Sequence, residues 1–193
     1  ELTSYLAVNV QHARGCPFNC HFCSVSRYLG KEFRQCNAQD VLSELADLKE
    51  KFIAFVDDNL IGHSPKSRAR AMQLFEGMVA GNYSQRWWMK TSINAADDEA
   101  LIEMAARAGC IFVFMGFESI SKEALRHMKK GVNIKIGIQN YKKVVDIFHK
   151  YGIAVYCAFI IGNDYESPAY FKKLARFLVH SEIDIIQITL LTP

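Results

Sequence analysis

Short apolar runs alternate with amphipathic segments along the whole chain, and this alternation restricts the fold more than any other feature. The runs are "YLAVNV" (5–10), "FIAFVD" (52–57), "RWWMKTSI" (86–93), "CIFVFMGF" (110–117), "IAVYCAFII" (153–161) and "DIIQITLL" (184–191). Each is strand-length and nearly continuous in apolar residues, as expected where both faces of a parallel sheet are covered. Helical patterns lie between them. "AQDVLSELADLKEK" brings Val41, Leu42, Leu45 and Leu48 to one face, and "SRARAMQLFEGMVAG" stops at Gly81. "DDEALIEMAARAG" opens on acids and closes on Gly109, "GIQNYKKVVDIFHKYG" closes on Gly152, and "ESPAYFKKLARFLVHS" carries Pro168 near its start. Five β-α units and a sixth strand imply an α/β fold with parallel strands and right-handed crossovers. No GxGxxG follows any strand. A doubly wound sheet is one arrangement, a partial (β/α)6 TIM-like open barrel fits as well and is favoured by the site described below, and both gather function at the C-terminal ends of the strands.

Those ends carry unusual chemistry. "RGCPFNCHFC" (14–23) places Cys16, Cys20 and Cys23 in the loop after the first strand. Six cysteines could make three disulfides, but Cys36, Cys110 and Cys157 are scattered, the last two inside apolar runs. This pattern points to a reducing cytoplasm and a metal site, with Cys110 and Cys157 as small buried apolar residues. Structural zinc sites close with four ligands, and no second pair or Cys/His knuckle appears here. Three thiolates on a [4Fe–4S] cluster leave one iron open to bind a substrate. A non-catalytic iron–sulfur electron-transfer protein and a zinc-binding interaction module stand as alternatives. The net charge of +3 gives no reason to expect nucleic acid, and no apolar run approaches membrane-spanning length.

CxxxCxxC with Phe22 before its last cysteine, set after the first strand of a β/α chain, resembles the signature of radical S-adenosylmethionine enzymes. The resemblance covers nearly all of residues 1–193 as one core domain. It implies a cluster on Cys16, Cys20 and Cys23 whose open iron chelates the methionyl amino and carboxylate groups. It also implies reductive cleavage to a 5′-deoxyadenosyl radical that takes hydrogen from the substrate, and it places Phe22 beside the cofactor. Asp57, Asp58 and Asn59 stand where the family receives the cofactor's ammonium, with helix capping as the other role for such residues. Ser92 and Asn94 suit the methionyl carboxylate, or a turn cap. Glu118 and Ser119 match the family's ribose-binding position, where a carboxylate accepts paired hydrogen bonds, against a plain cap. "AFIIGND" resembles the adenine-side GxIxGxxE motif. Ala158 replaces its first glycine and Glu166 falls one position late, so only Ile160 and Gly162 carry over.

Within the family, "FVDDNLIG", "TSINAADD", "GFESIS" and "FIIGND" most resemble the cobalamin-binding-type subgroup, which includes hopanoid-biosynthesis and anaerobic ring-cyclase relatives. That resemblance implies an N-terminal Rossmann-like domain and a C-terminal segment outside these residues, with cobalamin held by the former. Further implied partners are a small-molecule or lipid substrate and a reductant such as ferredoxin or flavodoxin, with peripheral membrane contact only through segments outside these residues. The reaction on an unactivated carbon would be methylation, rearrangement or C–C coupling. Trp87 and Trp88 read as core or barrel lining, "RHMKKGVNIK" (126–135) as a solvated helix end and loop, and Arg34 as a contact to cofactor or domain, or a surface ion pair.

Overall fold

The computed structural model describes residues 6–30 and 32–192; Tyr5, included in the first expected strand, lies outside them. Six parallel strands form one sheet in the order β1 (Val8–Val10), β4 (Phe52–Phe55), β5 (Arg86–Thr91), β6 (Cys110–Glu118), β7 (Ala154–Ile161) and β8 (Ile185–Leu190). A two-residue hairpin, β2 (Ala13–Arg14) with β3 (Arg34–Gln35), brackets the cysteine loop. The strand order never reverses. Right-handed crossovers in one direction put the crossover helices on the same face of the sheet, so the doubly wound alternative falls and the other face becomes the lumen of an open barrel.

The core lies between the strands' outer face and the helices α2 (Ala38–Asp47), α3 (Pro65–Ala80), α4 (Glu99–Arg107) and α7 (Tyr141–Lys150). Alternate residues Ile53 and Phe55, Trp87 and Met89, Val113 and Met115, and Val155 and Cys157 are buried against Leu45, Leu74, Phe75, Leu101 and Phe148. Each such side chain contributes about 1.5–3 kcal/mol by leaving water. Trp87 stacks on Phe75, meets Phe55 edge-on, and donates its indole N–H to Ala108 O at 2.8 Å. Trp88, one residue on, faces the lumen and contacts Phe112, which contacts Tyr156, which contacts Phe114. On β8 the register-matched row Ile186, Ile188 and Leu190 is 39%, 50% and 66% exposed, because no helix among the described residues covers it.

Expected boundaries shift at frayed ends: Lys49–Lys51 lie outside α2, and Ser92 and Ile93 leave β5 for a 3₁₀ turn over Ile93–Asp97. One expectation holds only in part: in the stretch 126–135 the end of α5 (Lys122–His127), Lys129 and Lys135 are exposed, but a second helix, α6 (Gly131–Ile136), follows a short link and folds over the C-terminal end of β6, burying Met128, Val132 and Asn133. Ala124, Leu125 and Met128 form their own small core, with Phe22 of the cysteine loop packed on it. Among the described residues no helix is long and apolar enough to cross a membrane.

Candidate active site

The cysteine loop leaves β1 over the C-terminal end of the sheet and is held there by backbone. Gly15 has φ +88°, and a Cβ on it would run into Glu32 O, so the turn into Cys16 admits only glycine. His21 N donates to Met128 O at 2.9 Å, tying the loop to α5. A short helix, α1 (Val25–Tyr28), follows Cys23. Cys16, Cys20 and Cys23 thereby line one cleft of about 210 Å³ with Phe18, Phe22, Asp58, Lys90, Ser92, Gly116, Glu118 and Lys130. All six cysteines are free thiols. Burial pushes the Cys16 and Cys20 thiols up, and the Lys130 charge opposes that rise. Burial likewise raises Cys110 to about 12 and Cys157 further, so neither offers a thiolate.

Opposite the thiols stands a buried ion pair that the sequence reading missed. Lys130 Nζ lies 2.7 Å from Glu118 Oε1, with the side chains 14% and 6% exposed, and 5.7 Å above the Phe22 ring. Burial lowers the Lys130 pKa, but Glu118 and then Cys20 more than offset it, leaving the ammonium held. Glu118 sits where β6 bulges against β7, with φ +63°, a conformation costing a non-glycine residue about 1–2 kcal/mol. The surroundings impose it. Asn133 Nδ2 donates to Gly116 O and Phe117 O, and Tyr141 Oη donates to Phe117 O, clamping the strand end. Gly116 leaves room for the pair: a Cβ there would overlap Glu118 Oε1 and lie 2.9 Å from Lys130 Nζ. The available signal for Lys130 was the helical spacing of Ala124, Leu125 and Met128, which folds the segment inward rather than into solvent.

The other expected residues divide. Phe22, Asp58, Ser92 and Glu118 face the thiols. Ser92 makes no cap bond and accepts from Asn59 Nδ2 at 3.0 Å; Glu118 caps nothing, since Ser121 caps α5. Asp57 turns away and is fully buried. Its Oδ1 accepts from the backbone N–H of His12 and Ala13, fastening β4 to the segment after β1. Burial raises its pKa to about 6. Asn59 is buried too, accepting from Gly62 N and Thr91 Oγ1 and orienting Ser92. It and Asp57 brace the site instead of lining it. Asn94 lies outside the cleft, its carbonyl receiving Arg68. Ser119 pairs with Tyr170 Oη at 2.9 Å. Ile160 packs on the small core below Phe22, and Gly162, at φ +98°, donates its N–H to Glu166. None of these four lines the thiol cleft.

The chain matches the profile of the Radical SAM superfamily over residues 10–178. It belongs to that superfamily. It is 35% identical over 186 residues to the bacteriochlorophyllide d C-12(1)-methyltransferase of Chlorobaculum tepidum, covering 93% of this chain and 39% of that protein. With the hopanoid C-2 methylase of Rhodopseudomonas palustris it shares 27% over 195 residues, covering 99% and 36%. The chain thus spans well under half the length of these relatives. A solved radical S-adenosylmethionine methyltransferase, TsrM from Kitasatospora setae with cobalamin and a [4Fe–4S] cluster, shares the fold with TM-score 0.80 at 20% identity, over 95% of this chain and 36% of that one.

The residues fit the group that the superfamily carries. No three His, Cys, Asp or Glu side chains among those described are grouped to hold a single ion. What fits is the donor set: three cysteines in one cleft can supply three thiolates to a [4Fe–4S] cluster, and Asp58, Glu118 and Lys130 in the same lining offer charged contacts to S-adenosylmethionine.

Proposed function

We propose that the full-length protein is a radical S-adenosylmethionine enzyme acting on an unactivated carbon, with methyl transfer as the leading outcome. The observation that carries this is one cleft holding three thiols, a carboxylate–ammonium pair and an open strand-end wall. Cys16, Cys20 and Cys23 hold the cluster by three corners. Lys130 receives the methionyl carboxylate, Asp58 the methionyl ammonium, and Glu118 the ribose hydroxyls, each a charge-assisted contact. Asn59 and Asn133 hold Ser92 and the β6 end in place. Bound S-adenosylmethionine and the cluster, once supplied with an electron, furnish a 5′-deoxyadenosyl radical. The aromatic lumen of Trp88, Phe112, Phe114 and Tyr156 gives an apolar substrate a floor and keeps water from the reacting carbon.

Methylation is favoured over rearrangement or coupling because two relatives are named for methylating bacteriochlorophyllide d and hopanoids. Residues outside this chain supply a Rossmann-like cobalamin domain on the N-terminal side and a segment that covers Ile186, Ile188 and Leu190. The test incubates full-length, anaerobically reconstituted protein with dithionite, S-adenosylmethionine and candidate substrates. Together, 5′-deoxyadenosine and S-adenosylhomocysteine support methyl transfer, and 5′-deoxyadenosine alone supports rearrangement or coupling. Neither product from an intact cluster overturns the proposal in favour of an electron-transfer role.

A further inference from the structure

A second cleft, about 470 Å³ and larger than the first, opens on the outer side of the cysteine loop and is strongly cationic. Arg34, Lys66 and Arg70 line it with His63, against the single carboxylate of Glu32, which stands 4.0 Å from Arg34 Nε. Each cation also has a like-charge or dipole neighbour that opposes it. Arg34 pairs directly across the β2–β3 ladder from Arg14, and like charges so opposed weaken a ladder. Lys66 occupies the first turn of α3, which has no acidic residue, where the helix dipole disfavours positive charge. Arg70 follows Lys66 at i,i+4, a like-charge spacing that costs helix stability. The fold uses little of this charge: Arg34 has only the exposed Glu32 beside it and Arg70 donates to the Gln35 carbonyl at 3.4 Å, leaving the cleft a net positive face that suits an anionic partner.

The cleft also abuts the thiol site. Pro17, beside Cys16, forms part of its wall. Phe18 lines the thiol cleft, and its ring stands 5.9 Å from that of His63, which lines the cationic one. One aromatic layer separates the two.

We infer that the cleft of Arg34, Lys66 and Arg70 is the docking surface for a small acidic protein carrying a one-electron centre. This rests on the radical reading above. One electron leaves the carrier's reduced centre and lowers the cluster from its 2+ to its 1+ state, with no bond broken and no proton moved. Phe18 and His63 lie between donor and acceptor, while Cys16 holds the near corner of the cluster.

The test uses full-length, cluster-loaded protein and reduced flavodoxin as the acidic carrier. The variant is R34E/K66E; both side chains are exposed, and the pair that Arg34 makes with Glu32 is a solvated one whose loss costs about 1 kcal/mol or less. A carboxylate in place of Arg34 would face Arg14 as an opposite charge, and one in place of Lys66 would suit both the helix dipole and Arg70. The variant should slow flavodoxin association by at least about tenfold at low salt and flatten its salt dependence, within the range electrostatic steering spans. Bleaching of the cluster's visible absorption by flavodoxin should slow in step, while dithionite, needing no docking, bleaches it at the wild-type rate. Unchanged flavodoxin association overturns the inference. So does equal slowing with dithionite, which would place the charges in the cluster site itself, or a duplex oligonucleotide whose binding alone is lost. Wild-type protein that takes up no cluster overturns the underlying reading instead, and shows itself before any carrier is added.

Discussion

Asp57→Asn separates a bracing role from a cofactor-binding one, because Asp57 is buried beside a second buried titrating group. Burial raises Asp57 from 3.8 to about 6. Burial, then Arg70, lowers His12 from 6.5 to about 4. The two are joined, since the His12 backbone N–H donates to Asp57 Oδ1. Through the window between the unfolded and folded values, the folded state keeps Asp57's proton and the unfolded state has released it, so stability falls as pH rises. For His12 the unfolded state binds the extra proton, so stability rises with pH over its own window. At about 1.4 kcal/mol per pH decade, Asp57 removes about 2 kcal/mol between pH 4.5 and 7 while His12 adds slightly more. The wild-type profile from these two groups is therefore nearly flat. The asparagine side chain keeps the acceptor oxygen and cannot ionise, so the variant should gain about 2 kcal/mol relative to wild type over that interval. Urea unfolding at half-unit pH steps reads the difference directly, and titrating groups common to both proteins cancel. A difference profile flat within about 0.5 kcal/mol would falsify the placement of a buried, ionising Asp57. S-adenosylmethionine affinity should be unchanged in the variant.

Other consequences concern the thiols and the ion pair. Lys130→Met strands Glu118 in a dry cleft and should destabilise by about 3–5 kcal/mol, whereas E118Q/K130M should recover most of the loss; additive single effects in this cycle would count against the pair. Glu118→Ala should weaken S-adenosylmethionine binding about tenfold or more in calorimetric titration of loaded protein, since a charged hydrogen bond contributes roughly 1.5–3 kcal/mol. Gly116→Ala should have a similar effect, because the added methyl collides with both partners, and unaltered affinity would show that the pair need not sit over Gly116. Iron uptake after anaerobic reconstitution should be lost on replacing Cys16, Cys20 or Cys23 by Ala and retained for Cys36, Cys110 and Cys157. A folded Cys157→Ala protein without cluster contradicts the ligand assignment.

Periodicity and the cysteine spacing are local properties, and the sequence determined what depends on them. The six strands and the helices α2, α3, α4, α7 and α8 (Pro168–His180) were legible because each needs only its own apolar pattern and end signals. Cys16, Cys20 and Cys23 were legible because a loop of eight residues brings them together without help from the rest of the chain. Side-chain direction was not. Asp57 and Asp58 are neighbours just past the end of β4, yet Asp57 turns onto the backbone N–H groups of His12 and Ala13 while Asp58 faces the thiols, and only the packing of the segment after β1 against that turn says which. Lys130 and Glu118 are twelve residues apart with two helix ends between them. Their meeting required α6 to fold back, Asn133 to clamp β6, and a bulge to turn Glu118 inward. Lys66 and Arg34 lie 32 positions apart, and only the packing of α3 and β3 beside the same loop brings them to one cleft. A charge in sequence has no partner until the tertiary fold sets its distance and removes the water between, and for this reason the fold alone decided the electrostatics of both clefts.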